Sequence, residues 1–429
     1  MGRTQRIRNR NKTKCSDSAK IVENISLMKW MGTFNWKNTS KIFCKEFEAT
    51  GRGVTSSKDL CSNESLIAVP FQLLITYSTL SASEDFMSIF EHDVKLGIQD
   101  ILAAFLVLEK HKKNQSYWRY YLESLPIVTP ILPWFSSSEE IEYFPKELRE
   151  LSFKCKNNFK ESFERIRRSV HVHLECKCCK EKIIDILSLE SYKWGYVMVN
   201  TRGVYVDPEV IRKFSKLDIL FDEPRIAMFP MMDMFNHSDI AENMIEFTEN
   251  SQGLFYQLST LTNHKKYDQI FISYGRHDNT ELFTEYGFYL PNNSNDKIRF
   301  KPSEILKCLN LRLNNFQYNF LRKNEFLETE ELFINMIGPS FKLKGFLYVA
   351  LNENTRNYSG NIFSEVYDES FKEDLPNYLL KLLDVKIEEY KTDYWKFRNK
   401  FRINESVCQF LQSTVKFVES VRKEINSFI

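Results

Sequence analysis

Glycine is scarce in this chain of 429 residues. Its 13 glycines are roughly half of what ordinary usage of about 7% would give, and a chain this sparing puts glycine where backbone geometry demands it. Long apolar runs are also missing. The longest, Ile101–Leu108, falls far short of the roughly 20 residues that cross a bilayer, so no membrane segment is expected. The charged start has no apolar run behind it, and no secretory leader is expected. Nine cysteines, an odd number scattered along the chain, do not make a disulfide framework and point to a reduced compartment. Excess charge is nearly absent, at a net +2, but it is unevenly placed. Arg3, Arg6, Arg8, Arg10, Lys12 and Lys14 stand in the first fourteen positions with no acid. The other 53 basic residues face 57 acids, so the body sits at −4 and is not a basic nucleic-acid binder.

What is present is material for a core. The chain is 43% hydrophobic, with 35 Phe and 27% charged residues, which excludes wholesale disorder, and its length predicts two or three packed units. Residues 1–20 read as a disordered basic tail. Helical spacing begins at Ile21, Ile25, Leu27, Met28 and Trp30, and short strand-like runs follow between 46 and 75. Residues 84–190 read mostly as helix. Strand-like segments return at 194–206, 226–232 and 268–274. After about 295 the chain is helical again, ending in a seam of Val407, Leu411, Thr414, Val418, Val421, Ile425 and Phe428 at steps of four and three.

Three short clusters could carry chemistry, and two of them hold Gly51, Gly53, Gly275 and Gly287. Gly51-Arg52-Gly53-Val54 lacks the third glycine and the following helix of a dinucleotide fingerprint. It is either a hairpin turn or a turn whose backbone a ligand approaches. Asp233-Met234-Phe235-Asn236-His237-Ser238 follows an apolar run. Asn236 and His237 would face opposite sides of a regular strand, so the segment is either a surface turn or an irregular strand serving one site. In the third cluster an apolar strand ends at Tyr274-Gly275, Asp278 and Glu281 resemble a capping box, and Gly287 closes the short helix. Tyr274 and Tyr286 thus stand at two ends of a structured bend.

The combination of GRGV, NTRGVY, DMFNHS and ISYG…DNTELFTEYGF resembles the SET-domain protein methyltransferases, and within them the subgroup of the Rubisco large-subunit methyltransferases. The resemblance covers roughly residues 1–295. It implies an α+β SET fold of short β-sheets with a knot-like crossing over 21–295, interrupted by a helical insertion at about 84–190. It also implies an all-helical substrate-binding lobe over 296–429. The implied cofactor is S-adenosyl-L-methionine, held by the turn of Gly51, Arg52 and Gly53, flanked by Glu64 and Leu66, and approached by Arg202. Asn236 and His237, the latter largely through its backbone, would lie in the crossing with Asp233 supporting it. Tyr274 would be the catalytic tyrosine and also touch the cofactor. Val204, Tyr205, Tyr286 and Phe288 would line the substrate channel, with Phe288 also on the adenine side.

The implied activity is protein-lysine methylation of histone or non-histone proteins by a monomer, nuclear and cytoplasmic. In the histidine-modifying members of the subgroup an Asn stands two residues after the arginine that corresponds to Arg202. Here that position is Val204, which offers no hydrogen bond to an imidazole and suits an alkyl chain. A silent SET-fold binding module is the other alternative. The segment His171-Val-His173-Leu-Glu-Cys176-Lys-Cys178-Cys179 has the residue types of a metal site but not a zinc-finger spacing, and no metal is expected. The basic tail is either a contact for histones, chromatin or RNA, or a solvated leader.

Overall fold

The computed structural model describes residues 17–91, 93–215, 219–329, 331–352, 358–402 and 404–425, with side chains from Val22 onward. The basic stretch 1–14 and Phe428 lie outside the described residues. The helix Asp17–Gly32 begins inside what the sequence suggested was a disordered tail ending at 20. The strands in chain order are β1 (Ile42–Phe47), β2 (Gly51–Ser56), β3 (Ser65–Pro70), β4 (Val204–Tyr205), β5 (Ile226–Ala227), β6 (Asn236–His237), β7 (Asn243–Asn250), β8 (Gly253–Thr260), β9 (Gln269–Ile272), β10 (Ile298–Arg299), β11 (Phe333–Asn335) and β12 (Gly338–Pro339).

The described residues form two compact units. One draws on Met1–Phe135, Leu151–Gly275 and Thr284–Phe288, the other on Ser136–Glu150, Arg276–Phe283 and Tyr289–Ile429. The second therefore takes segments on both sides of the boundary expected after 295. Each unit has its own buried apolar core.

In the first unit, β1 and β2 form an antiparallel hairpin with Phe47 opposite Gly51. β2 pairs antiparallel with β9, and β9 pairs parallel with β6, giving the order β1-β2-β9-β6. A second sheet has the order β3-β8-β7, and β4 pairs with β5. The β7–β8 hairpin turns at Gly253, whose φ of 119° only glycine adopts readily. Polar residues such as Glu246, Thr248, Glu249 and Asn250 along β7 hide that strand from a search for apolar runs, although the alternation in FYQLST was a usable signal.

The helical insertion packs Ile98–His111 against Leu189–Arg202. The second of these corrects the expected strand at 194–206, of which only Val204–Tyr205 is extended. A continuous apolar stretch such as Gly195–Val199 suits a buried helix as well as a buried strand. Ser188, which accepts from Ser191 N–H at 3.3 Å, and the lack of an early break settle the choice. Asp100, buried near the start of the first helix, accepts from Arg165 Nε at 2.8 Å, Ser162 Oγ at 2.6 Å and its own turn's Gly97 N–H at 2.8 Å. This ties the helix Lys146–Ser169 to Ile98–His111 without leaving a buried carboxylate unpaired.

Gly195 lies at a close approach of the two packed helices. A Cβ there would lie 2.5 Å from the Ala103 carbonyl oxygen, a backbone atom that cannot swing aside. Gly195→Ala is expected to lower stability by about 1–3 kcal/mol, the overpacking cost exceeding the gain in helix propensity. Chemical denaturation measures it, and an unchanged or raised midpoint would refute the close packing.

The second unit is mostly helical, with its core built on Phe341–Leu351, Glu369–Lys400 and Glu405–Glu424. The expected seam of the last helix is observed: Val407, Leu411, Val418, Val421 and Ile425 are buried. To the helices the structure adds a three-stranded sheet, β10-β11-β12. The lobe is therefore not all-helical, because residues 298–299 and 333–339 pair in strands too short to show a period.

Candidate active site

The glycine turn and β6 meet in the first unit. Gly51 has φ 70°, which closes the β1–β2 turn. Gly53 is constrained by neighbours: a Cβ would sit 2.3 Å from Gln269 Nε2 and 2.9 Å from Asn236 Nδ2. The missing side chain lets Asn236 cross to β2, where its Nδ2 donates to the Arg52 carbonyl at 2.9 Å. Thr50 Oγ1 donates to Gln269 Oε1 at 2.7 Å, fastening the turn to β9.

Beneath this turn lies a buried charge cluster. Arg202, the last residue of its helix, donates from Nη1 to Asp233 Oδ2 at 3.2 Å and to the Asp233 carbonyl at 3.0 Å. The Tyr121 hydroxyl donates to the same Oδ2 at 3.1 Å. Arg52 Nη1 donates to the Ser124 carbonyl at 2.7 Å. The Asp233 side chain is fully buried, on a short turn entered through Met231 at φ 70°. Burial raises the Asp233 pKa, and Arg202 and Arg52 offset only part of that rise. Burial lowers the Arg52 pKa, with repulsion from Arg202 next in size. Two guanidiniums around one carboxylate leave a net positive charge, and Asp233 Oδ1 finds no hydrogen-bond partner among the described residues.

The third element is aromatic. His237 is fully buried on β6, and its Nδ1 accepts from Tyr274 N–H at 3.0 Å. That acceptor role puts the proton of a neutral ring on Nε2. The Tyr274 hydroxyl donates to the Phe235 carbonyl at 2.6 Å. Tyr274 stacks at a tilt on Tyr286, with centroids 5.2 Å apart, and on His237 at 5.1 Å. Phe288 lies 6.1 Å from Tyr286 and 6.3 Å from His237. Gly275 at φ 128° and Gly287 at φ 76° make the bends that bring these rings together. A side chain at Gly287 would meet the Ile131 carbonyl at 3.0 Å.

Most residues singled out in the sequence therefore converge: Gly51, Arg52, Gly53, Arg202, Asp233, Asn236, His237, Tyr274, Tyr286 and Phe288 belong to one connected set. Asn236 and His237 need no irregular backbone. They lie on a two-residue strand paired in register with Phe271 and Ile272. Asn236 reaches β2, and His237 reaches Tyr274, two residues past the end of β9.

Glu64 and Leu66 are not placed with this set. Glu64 pairs with Lys58 and accepts from Cys61 N–H at 3.1 Å in a surface turn. Leu66 is buried on β3 of the other sheet. The Tyr205 side chain is 65% exposed, and its carbonyl accepts from the Tyr256 hydroxyl. Val204 is half-buried beside it on β4. Tyr121, Ser124, Thr50 and Gln269 were given no role from the sequence, since nothing in their local spacing marks one.

No protein-family model matches the chain. It is 29% identical over 337 residues to SET domain-containing protein 4 of Artemia parthenogenetica, spanning 78% of this chain and 79% of that protein. The human protein of that name is 29% identical over 352 residues, 80% and 76% of the two chains. Actin-histidine N-methyltransferase of Gallus gallus is 24% identical over 278 residues, 64% of this chain and 44% of that protein. The crystal structure of the SET domain of LSMT bound to lysine and AdoHcy superposes with a TM-score of 0.58 at 15% identity, over 95% of this chain and 91% of that one. Rubisco LSMT bound to AdoMet gives 0.55 at 15% identity, over 94% and 92%. The fold is the SET fold.

Proposed function

We propose that this SET-fold chain, similar over about four fifths of its length to proteins named SET domain-containing protein 4, is an S-adenosylmethionine-dependent protein methyltransferase acting on lysine. The observation that carries the reading is the Tyr274 hydroxyl, held against the Phe235 carbonyl at 2.6 Å next to the Asn236–His237 strand.

The residues present fit the cofactor. The net positive charge of Arg52, Arg202 and Asp233 suits the carboxylate of its amino-acid part. When bound, S-adenosylmethionine supplies a methyl group on a positively charged sulfur. Methyl transfer is an in-line displacement, and the protein's share of it is alignment of the acceptor lone pair at about 3 Å. Since Tyr274 spends its proton on Phe235, its lone pairs are what it offers an incoming ammonium or amine. Lysine, with a reference pKa near 10.4, must lose its proton first, and desolvation against aromatic rings such as Tyr286 and Phe288 lowers that cost. The same ring faces attract the methylated product.

Lysine is favoured over histidine because Val204 presents no hydrogen-bonding group to an imidazole. The histidine reading is kept as the second one, because actin-histidine N-methyltransferases are among the similar proteins. Incubation of the full chain with labelled S-adenosylmethionine and a cell lysate, followed by mass spectrometry of labelled residues, decides between them. Label on lysine is expected. Label on histidine alone would overturn the choice of lysine, and cofactor binding without any transfer would make the chain a silent module.

A further inference from the structure

The segment HVHLECKCC was expected to hold no metal because its spacing is not that of a zinc finger. The structure brings a histidine from elsewhere to its three thiols. His111 ends the helix Ile98–His111, and its Nε2 lies 3.1 Å from Cys179 Sγ. Cys176 Sγ and Cys178 Sγ are 3.0 Å apart. The ligand atoms of His111, Cys176, Cys178 and Cys179 all lie within 4.8 Å of one another. All four belong to the first unit, and the three cysteines are free thiols.

The backbone explains why three thiols of one short segment turn the same way. Cys176 N–H donates to the Glu181 carbonyl at 2.7 Å and Lys180 N–H returns to the Cys176 carbonyl at 2.9 Å. Ile183 N–H bonds the Leu174 carbonyl at 2.9 Å, and Glu175 bridges Lys182. Lys180 takes a left-handed φ of 65°. The result is a tight knuckle that brings the three thiols together. His171, by contrast, lies 3.6 Å from Glu91 and His173 is outside the cluster.

We propose that His111, Cys176, Cys178 and Cys179 form a Cys3His site for one zinc ion. A tetrahedral zinc with sulfur at about 2.3 Å and nitrogen at about 2.0 Å separates its ligands by roughly 3.3–3.8 Å. The observed separations bracket that range. Four protein ligands leave no open position, which makes the site structural rather than catalytic. Three thiolates and a neutral imidazole around the ion carry a net −1. The ion staples the end of Ile98–His111 to the knuckle. That helix packs on Leu189–Arg202, so the staple braces the helix that delivers Arg202.

The test is metal analysis of the full chain, purified without added zinc and again after equimolar zinc and desalting. About one zinc per chain is expected, falling to a small fraction in Cys176→Ser and in His111→Gln and unchanged in Cys408→Ser. Stripping wild-type protein with a strong chelator is expected to lower its melting temperature, with recovery on adding zinc but not magnesium. This readout does not depend on the variants folding. Wild-type protein that holds no zinc after loading and melts the same with and without chelator would overturn the site. So would an intact mass two hydrogens short, because the thiols would then be joined as a disulfide.

Discussion

Replacing Tyr274 by Phe is expected to reduce methyl transfer by about two to three orders of magnitude, the usual effect of removing one preorganised polar contact at a reacting centre. Binding of S-adenosylmethionine is expected to stay within a few-fold of wild type. The two readouts separate because the ring and the hydroxyl do different work. The ring stays packed between His237 and Tyr286, and the Tyr274 N–H still reaches His237 Nδ1. Only the hydroxyl is lost, and with it one hydrogen bond to Phe235 worth about 1 kcal/mol of stability. Equilibrium dialysis of labelled cofactor and single-turnover transfer to a lysate-derived substrate measure the two quantities. Transfer at the wild-type rate would remove Tyr274 from the chemistry.

Arg202→Met carries the other large effect: a stability loss of about 3 kcal/mol together with weaker cofactor binding. Methionine keeps much of the apolar stem, so the change mainly removes charge. Asp233 is buried, burial raises its pKa, and Arg202 is the strongest of the influences that offset the rise. The sign follows: an acid whose folded pKa lies above its unfolded value makes the fold relatively more stable at low pH, and that share is lost as pH rises through the folded pKa. Without Arg202 the Asp233 pKa rises further, so the loss is larger at neutral pH than at acid pH. Urea unfolding at the two pH values reads the stability, and a wild-type midpoint at both would show that the cluster is solvated rather than buried.

The site was legible in the sequence where a residue type has a backbone meaning. Gly51, Gly275 and Gly287 were conspicuous because the chain uses so little glycine, and each has a positive φ. Asn236-His237 and Tyr274 stood out as polar groups at the ends of apolar runs, and they meet across a parallel strand pair. Glu64 was singled out only through a resemblance, and its partners in the structure, Lys58 and Cys61, lie in its own turn. The helix over 194–202 was misread because an all-apolar run has no period to read.

Composition and motif alone determined that the chain folds, that it is α+β, and which glycines and aromatics matter, because those properties depend on residues close in sequence. Only the tertiary structure decided which distant groups share a space. Tyr121 meets Asp233 across 112 positions and His111 meets Cys179 across 68. Such pairings follow from how helices pack and strands register, which no local spacing encodes. The charge of the Arg52–Arg202–Asp233 cluster belongs to the same class. In the sequence these are three ordinary charged residues; burial together makes them one group, since a low-dielectric interior couples charges that water would screen.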